Sequence, residues 1–171
     1  ELKARASAVS LAVFDIDGIM TDGSLHFLAD GQEVKMFNTL DGLGLKLLHQ
    51  SGVETAIITG RKSPQVEMRA KALGVSHLFQ GRDDKLKALE EIWDSSTHSA
   101  ETTAYIGDDL PDLSAIRAVT FGVTVPNGHP FVKAHADWCT QRKGGYGAAR
   151  EFCEAIIDAK GMLNSLYQEY L

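Results

Sequence analysis

Short apolar runs recur along the chain, separated by longer segments in which apolar residues return every three or four positions. Leu11 to Phe14, Glu54 to Ile58, His77 to Phe79, Thr103 to Ile106 and Phe121 to Val125 are runs of the first kind and predict buried strands. The segments between them predict helices near 43 to 51, 64 to 73, 84 to 95 and 110 to 118, with a last helical stretch from about 147 onward. Gly52 and Gly74 stand where helix C-termini favour left-handed backbone, and Pro111 stands where a first helical turn accepts it. Strands that alternate with helices predict an α/β fold with a parallel sheet flanked by helices.

One segment interrupts this alternation. LHFLA and QEVKMF flank Asp30-Gly31, two strand-like runs around a dipeptide that favours a type I′ turn, so a β-hairpin is predicted as an insert at about 24 to 38. An isolated hairpin is marginal in water, and this one carries Leu25, Phe27, Val34, Met36 and Phe37. It needs cover, from its own domain or from a partner subunit.

Composition narrows the function. With 171 residues and 44% hydrophobic content the chain suits one domain with a sizeable core. A formal charge of -6 provides no basic stripe for nucleic acid or an anionic membrane. No window approaches a membrane span or a signal-type apolar run, which predicts a soluble cytoplasmic protein. Cys139 and Cys153 form no CxxC pair and are read as reduced, packed thiols.

The candidate chemistry sits at predicted strand ends, where open α/β sheets bind ligands. Asp15 and Asp17 follow LAVF, AIIT ends in Thr59, and Asp108, Asp109 and Asp112 follow the strand TTAYI. Carboxylates gathered this closely repel one another unless a cation compensates them. All-oxygen ligands select a hard ion, magnesium before others, and the six scattered histidines lack zinc-site spacing. A metal-neutralised site lets a carboxylate attack phosphorus, with Asp15 as nucleophile and Asp17 as general acid and base. For Asp17 to be protonated, repulsion from neighbouring carboxylates is expected to raise its pKa. Lys85 and the Thr59 hydroxyl are candidates to hold the transferred phosphoryl group. Arg61 is a candidate to pair bidentately with a substrate carboxylate. Asp41-Gly42 and Asn127-Gly128 read as turns.

In order and spacing, DIDGIMTDG, ITGR, Lys85 and GDDLPD resemble the four motifs of the haloacid dehalogenase superfamily. The resemblance implies a Rossmann-like sheet, a magnesium cofactor and phosphate-binding roles for Thr59, Gly60, Arg61 and Lys85. It also implies metal ligation by Asp15, by Asp108 and by the Asp17 backbone carbonyl, with Asp109 and Asp112 as supporting acids that orient the metal's waters or Lys85. From Leu11 to about Lys160 the chain is similar to 3-deoxy-D-manno-octulosonate 8-phosphate phosphatases, through the hairpin, DGLGLKLL, ITGRKS, GDDLPDL, VPNGHP and GGYGAARE. Met20 and Leu40 fall where variable residues are expected. This resemblance implies a capless phosphatase of lipopolysaccharide sugar synthesis that acts as a homotetramer in which neighbouring subunits close the active site. The spacings between motifs leave no room for a lid domain. GGYG at 144 to 147 is then expected to act as a hinge that lets the tail, about 144 to 171, carry Arg150 to an adjacent site.

Four rivals are weighed against this reading. A catalytically silent module, similar to the tail domain of some sialic-acid-activating cytidylyltransferases, does not need Asp15, Asp17 and Lys85 together. A nucleic-acid end phosphatase should carry a basic groove, and a phosphoaspartate receiver has no acid at the second position. A phosphatase for a nine-carbon sialic-acid-type sugar 9-phosphate shares the same substrate chemistry and stays open.

Overall fold

All four residues of Leu11–Phe14 (β1) are fully buried, a pattern that requires cover on both faces of a central strand. A computed structural model describes residues 1–171 and supplies that cover. The strands in chain order are β1, His26–Phe27 (β2), Glu33–Val34 (β3), Glu54–Ile58 (β4), His77–Phe79 (β5), Thr103–Ile106 (β6), Phe121–Thr124 (β7) and Trp138–Cys139 (β8). Six of them form one parallel sheet in the order β5-β4-β1-β6-β7-β8. From β1 the chain first winds outward through β4 and β5, then returns to place β6, β7 and β8 on the other side. The winding therefore reverses between β1 and β6, and their carboxyl ends open onto a crevice.

The helices are Leu2–Ser7 (α1), Thr39–Gln50 (α2), Pro64–Ala72 (α3), Lys85–Asp94 (α4), Leu113–Ala118 (α5), Pro130–Lys133 (α6), Ala148–Ala159 (α7) and Leu163–Gln168 (α8). Side chains alternate along the central strands. Ala12, Phe14, Ile57 and Ile106 enter the larger core with α2, α3 and α7, while Leu11, Val13, Ile58 and Tyr105 enter a second core with α4 and α5. Phe152 of α7 packs edge-on to Phe14 at 5.3 Å and stacks on Phe121 at 6.2 Å.

Several sequence expectations change. The α2 helix begins at Thr39, where Asn38 Oδ1 accepts from Leu40 N at 2.9 Å. Asp41-Gly42 is thus the first turn of a helix, and its glycines answer to close neighbours. A Cβ on Gly42 would meet Arg69 Nη2 at 2.3 Å, and one on Gly44 would meet the Arg150 backbone at 3.0 Å. The segment 110 to 118 opens as a 3-10 turn over Leu110–Asp112 before α5. Short elements with weak patterns, α1, α6 and β8, were not predicted.

The hairpin is present but shorter, and its turn is not type I′. Leu28 pairs with Gln32, Gly31 N donates to Leu28 O, and only Gly31 has positive φ, at 86°. That is a three-residue loop closed by a left-handed glycine. Its own domain leaves Phe27 60% and Met36 70% exposed, while Phe37 alone packs against the larger core.

The tail departs most from expectation. Gly144 and Gly145 are wedged against the loop after β1: a Cβ on Gly144 would lie 1.7 Å from Gly18 O, and Gly145 N donates to Ile19 O. A segment clamped in this way is no hinge. Within this chain the Arg150 backbone N donates to Asp41 Oδ1 at 2.9 Å and its guanidinium meets Glu154. Asp41 of α2 thereby supplies an acceptor to the first turn of α7, whose own N-cap, Gly147, has no side chain to offer. No helix is long and apolar enough to cross a membrane.

Candidate active site at the sheet switch point

The β1 strand delivers Asp15 to the crevice. The chain then folds back on itself, with Ile19, Met20 and Thr21 all donating to Ile16 O. Met20 is buried in this turn. Asp15 is only 6% exposed and its Oδ1 lies 2.8 Å from Lys85 Nζ, at the start of α4. Lys85 also reaches Asp112 Oδ1 at 2.6 Å. Burial alone would lower the Lys85 ammonium, but the carboxylates of Asp15 and Asp112 outweigh it and hold the pKa above its ordinary value.

Asp112 is fully engaged. Its Oδ1 accepts from Lys85 and from the buried Tyr105 hydroxyl at 2.7 Å, and its Oδ2 accepts from the backbone N–H groups of Asp108 and Asp109. Asp109 is exposed and caps the 3-10 turn through Leu110 N. Asp108, one residue beyond Gly107 at the end of β6, approaches Gly18 so closely that a Cβ there would meet Asp108 Oδ2 at 2.0 Å. Gly18 also has a φ of 92°, so only glycine fits at this point.

Oxygens of Asp15, Asp108 and Asp112 lie within 4.8 Å of one another. Burial, followed by the Asp112 charge, raises the Asp15 pKa well above the ordinary range, and the same causes push Asp108 up to about 7. Three buried or half-buried carboxylates face a single ammonium, and a divalent cation would offset that imbalance. The donor set fits a hard ion. Because both Asp112 oxygens are taken, Asp15 and Asp108 are the side chains free to ligate; the Asp17 carbonyl oxygen accepts no hydrogen bond from the chain and suits a third position.

Thr59 at the end of β4 is buried, and Gly60 follows it. Together with Asp15, Asp17, Arg61, Lys85, Asp108, Asp109 and Asp112 they line one cavity of about 250 Å³, which gathers the strand-end acids and phosphate-binding candidates of the sequence but not Arg150. Apart from Pro111, its lining side chains are polar or charged.

Asp17 differs from expectation. Its carboxylate contacts cations rather than other acids: Lys35 Nζ at 2.7 Å and Arg61 Nε at 4.0 Å. Arg61 donates to Glu33 at 2.8 Å.

A family model for haloacid dehalogenase-like hydrolases matches residues 76–151. The 3-deoxy-D-manno-octulosonate 8-phosphate phosphatase KdsC of Yersinia pestis is 42% identical over 93% of this chain and 85% of its own length. The same-named protein of Escherichia coli strain K12 is 39% identical over 94% and 86%. The chain belongs to the 3-deoxy-D-manno-octulosonate 8-phosphate phosphatase family. Among solved members, the Moraxella catarrhalis phosphatase, in complex with a magnesium ion, a phosphate ion and a KDO molecule, superposes with a TM-score of 0.98. It shares 44% identity, over 99% of this chain and 98% of that one. A probable YrbI family phosphatase from Pseudomonas syringae pv. phaseolica 1448a gives a TM-score of 0.98 at 54% identity, over 99% and 96%.

In this member of the phosphatase family, sequence reasoning missed Tyr105, Asp83, Glu33 and Lys35. Tyr105 had a usable signal, since a phenol inside a fully buried strand must find a hydrogen-bond partner. Asp83, which also lines the cavity, and the hairpin pair had none.

Proposed function

We propose that the chain hydrolyses 3-deoxy-D-manno-octulosonate 8-phosphate to the free sugar acid and phosphate, with magnesium, in lipopolysaccharide precursor synthesis. The observation that carries this reading is Asp15 at the switch point, held by Lys85 inside a carboxylate cluster whose charge calls for a cation. The Moraxella relative, which binds magnesium, phosphate and KDO, supports it, and the names of the relatives favour the eight-carbon substrate over the nine-carbon one.

A bound magnesium ion, held by Asp15, Asp108 and the Asp17 carbonyl, would supply charge neutralisation for the cluster and the phosphate oxygens. An Asp15 oxygen forms a bond to phosphorus as the bond to the sugar oxygen breaks, giving an aspartyl phosphate. Asp17 gives that sugar oxygen a proton, then takes one from the water that attacks phosphorus as the bond from phosphorus to the Asp15 oxygen breaks, which releases phosphate and the free carboxylate. Lys85 uses two N–H groups on Asp15 and Asp112, which leaves a third for the phosphoryl group alongside the Thr59 hydroxyl and Gly60 N–H. Asp112 and Asp109 serve as supporting acids. Arg61, 43% exposed at the rim, is the group for the sugar carboxylate.

We read residues 1–171 as one capless domain of a cytoplasmic homotetramer. The exposed hairpin supports that assembly, because pairing hairpins between subunits would bury Phe27 and Met36 and satisfy their strand edges.

The test is phosphate release from eight- and nine-carbon 2-keto acid phosphates. Magnesium-dependent turnover with the eight-carbon ester preferred, lost in Asp15→Asn while the circular dichroism spectrum is unchanged, is the expected result. Calcium should suppress it, since its larger shell lets Asp15 ligate through both oxygens. Full activity after chelation, or in Asp15→Asn, would overturn the reading.

A further inference from the structure

The cation beside Asp17 comes from the hairpin. Lys35 directly follows β3, and its side chain is 3% exposed, although the hairpin around it faces solvent. A buried ammonium is costly unless its donors are matched. Its partners are Asp17 Oδ1 at 2.7 Å and Glu33 Oε1 at 2.9 Å. Glu33 spends its other oxygen on Arg61 Nη2 at 2.8 Å, and Arg61 Nε lies 4.0 Å from Asp17 Oδ2. Two acids and two cations thus close a ring, with each acid flanked by both cations. Gln65 Nε2 donates to the Glu33 carbonyl at 2.8 Å and anchors the ring to the first turn of α3.

The loop that carries Asp17 does not need Lys35 to keep its course. Three backbone bonds to Ile16 O and the bond from Gly145 N to Ile19 O already fix it. What these bonds leave undetermined is the direction of the Asp17 side chain, whose one hydrogen bond is the bond from Lys35.

We propose that Lys35 is a positioning residue for Asp17: held through Oδ1 from the hairpin, the carboxylate keeps Oδ2 for proton transfer to the leaving oxygen of the phosphate ester. This rests on the acid and base role given to Asp17 above. The hairpin is then a working part of the active site, and its register matters because it sets where Lys35 emerges.

The experiment compares Lys35→Met with wild type on two esters. One is the sugar phosphate, whose alkoxide must be protonated to leave. The other is 4-nitrophenyl phosphate, whose phenolate leaves without a proton. For the sugar phosphate kcat should fall at least about ten times further than for the aryl ester, with KM changed less than kcat. In an Asp17→Asn background the same substitution should add no further loss on the sugar phosphate. Equal falls on both esters, a fall confined to KM, or an undiminished effect without the Asp17 carboxylate would each overturn the proposal and leave the phosphatase reading standing. That reading fails separately if wild type releases phosphate from neither ester. Should Lys35→Met not fold, Glu33→Gln keeps the ammonium but weakens its second anchor by removing the charge; a smaller loss with the same preference for the sugar phosphate is expected, and a loss without that preference overturns the proposal.

Discussion

Around the cavity, Asp112 collects four donors on two oxygens: an ammonium, a phenol and two backbone N–H groups. It joins the end of β6 to the start of α4 and fixes Lys85 between two carboxylates. Tyr105 is the donor that chemistry can most cleanly remove. In Tyr105→Phe the hydroxyl is lost from a fully buried, charge-assisted bond, and the expected cost is about 1.5 to 3 kcal/mol. Urea unfolding should show that loss, while kcat should fall only a few-fold, because Lys85 keeps its contacts with Asp15 and Asp112. A stability unchanged from wild type would mean that the bond carries no load. Asp112 was legible in the sequence as an acid near a strand end; the Tyr105 phenol signalled that it needed a partner, but which partner depends on the face of the sheet that meets α4 and α5.

The loop after β1 and the glycines before α7 behave as one unit. Backbone faces backbone there, so a methyl group on Gly144 cannot be accommodated by rotating a side chain. Gly144→Ala is expected to displace the loop that carries Asp17 and Gly18, costing about 1 to 3 kcal/mol by overpacking and lowering kcat by about ten-fold or more. Gly161→Ala is the control: nothing lies within 4 Å, and its φ of 73° imposes only the left-handed penalty of about 1 to 2 kcal/mol. Equal kcat losses in the two variants would show that the Gly144 contact does not position the loop. The GGYG run looked like a hinge because glycine marks flexibility and close approach alike, and nothing in the run itself separates the two.

At the scale of the molecule, α7 is core rather than tail. Phe152, Cys153, Ile156 and Ile157 are all fully buried, and Phe152 touches both Phe14 and Phe121. Losing several side chains at about 2 to 5 kcal/mol each exceeds the roughly 5 to 15 kcal/mol that holds a domain together. A chain ending at Lys143 is therefore expected to lose its cooperative thermal transition and its hydrolysis of both esters. A folded truncation that still cleaves 4-nitrophenyl phosphate would show that α7 is dispensable to the fold.

The order of the main strands and helices, the α/β class and the acids that follow β1 and β6 were readable in the sequence because each is a local property. Periodicity depends on near neighbours, and a residue just past a buried strand emerges at the carboxyl end of the sheet whatever the rest of the chain does. Tertiary structure alone decided the partners. Lys35 reaches Asp17 across the hairpin, Asp41 caps a helix 109 positions away, and Gly42, Gly44 and Gly144 are glycines because Arg69, Arg150 and Gly18 arrive where a Cβ would stand. Such contacts are set by how closely whole elements pack, and no short stretch of sequence encodes the distance between two elements.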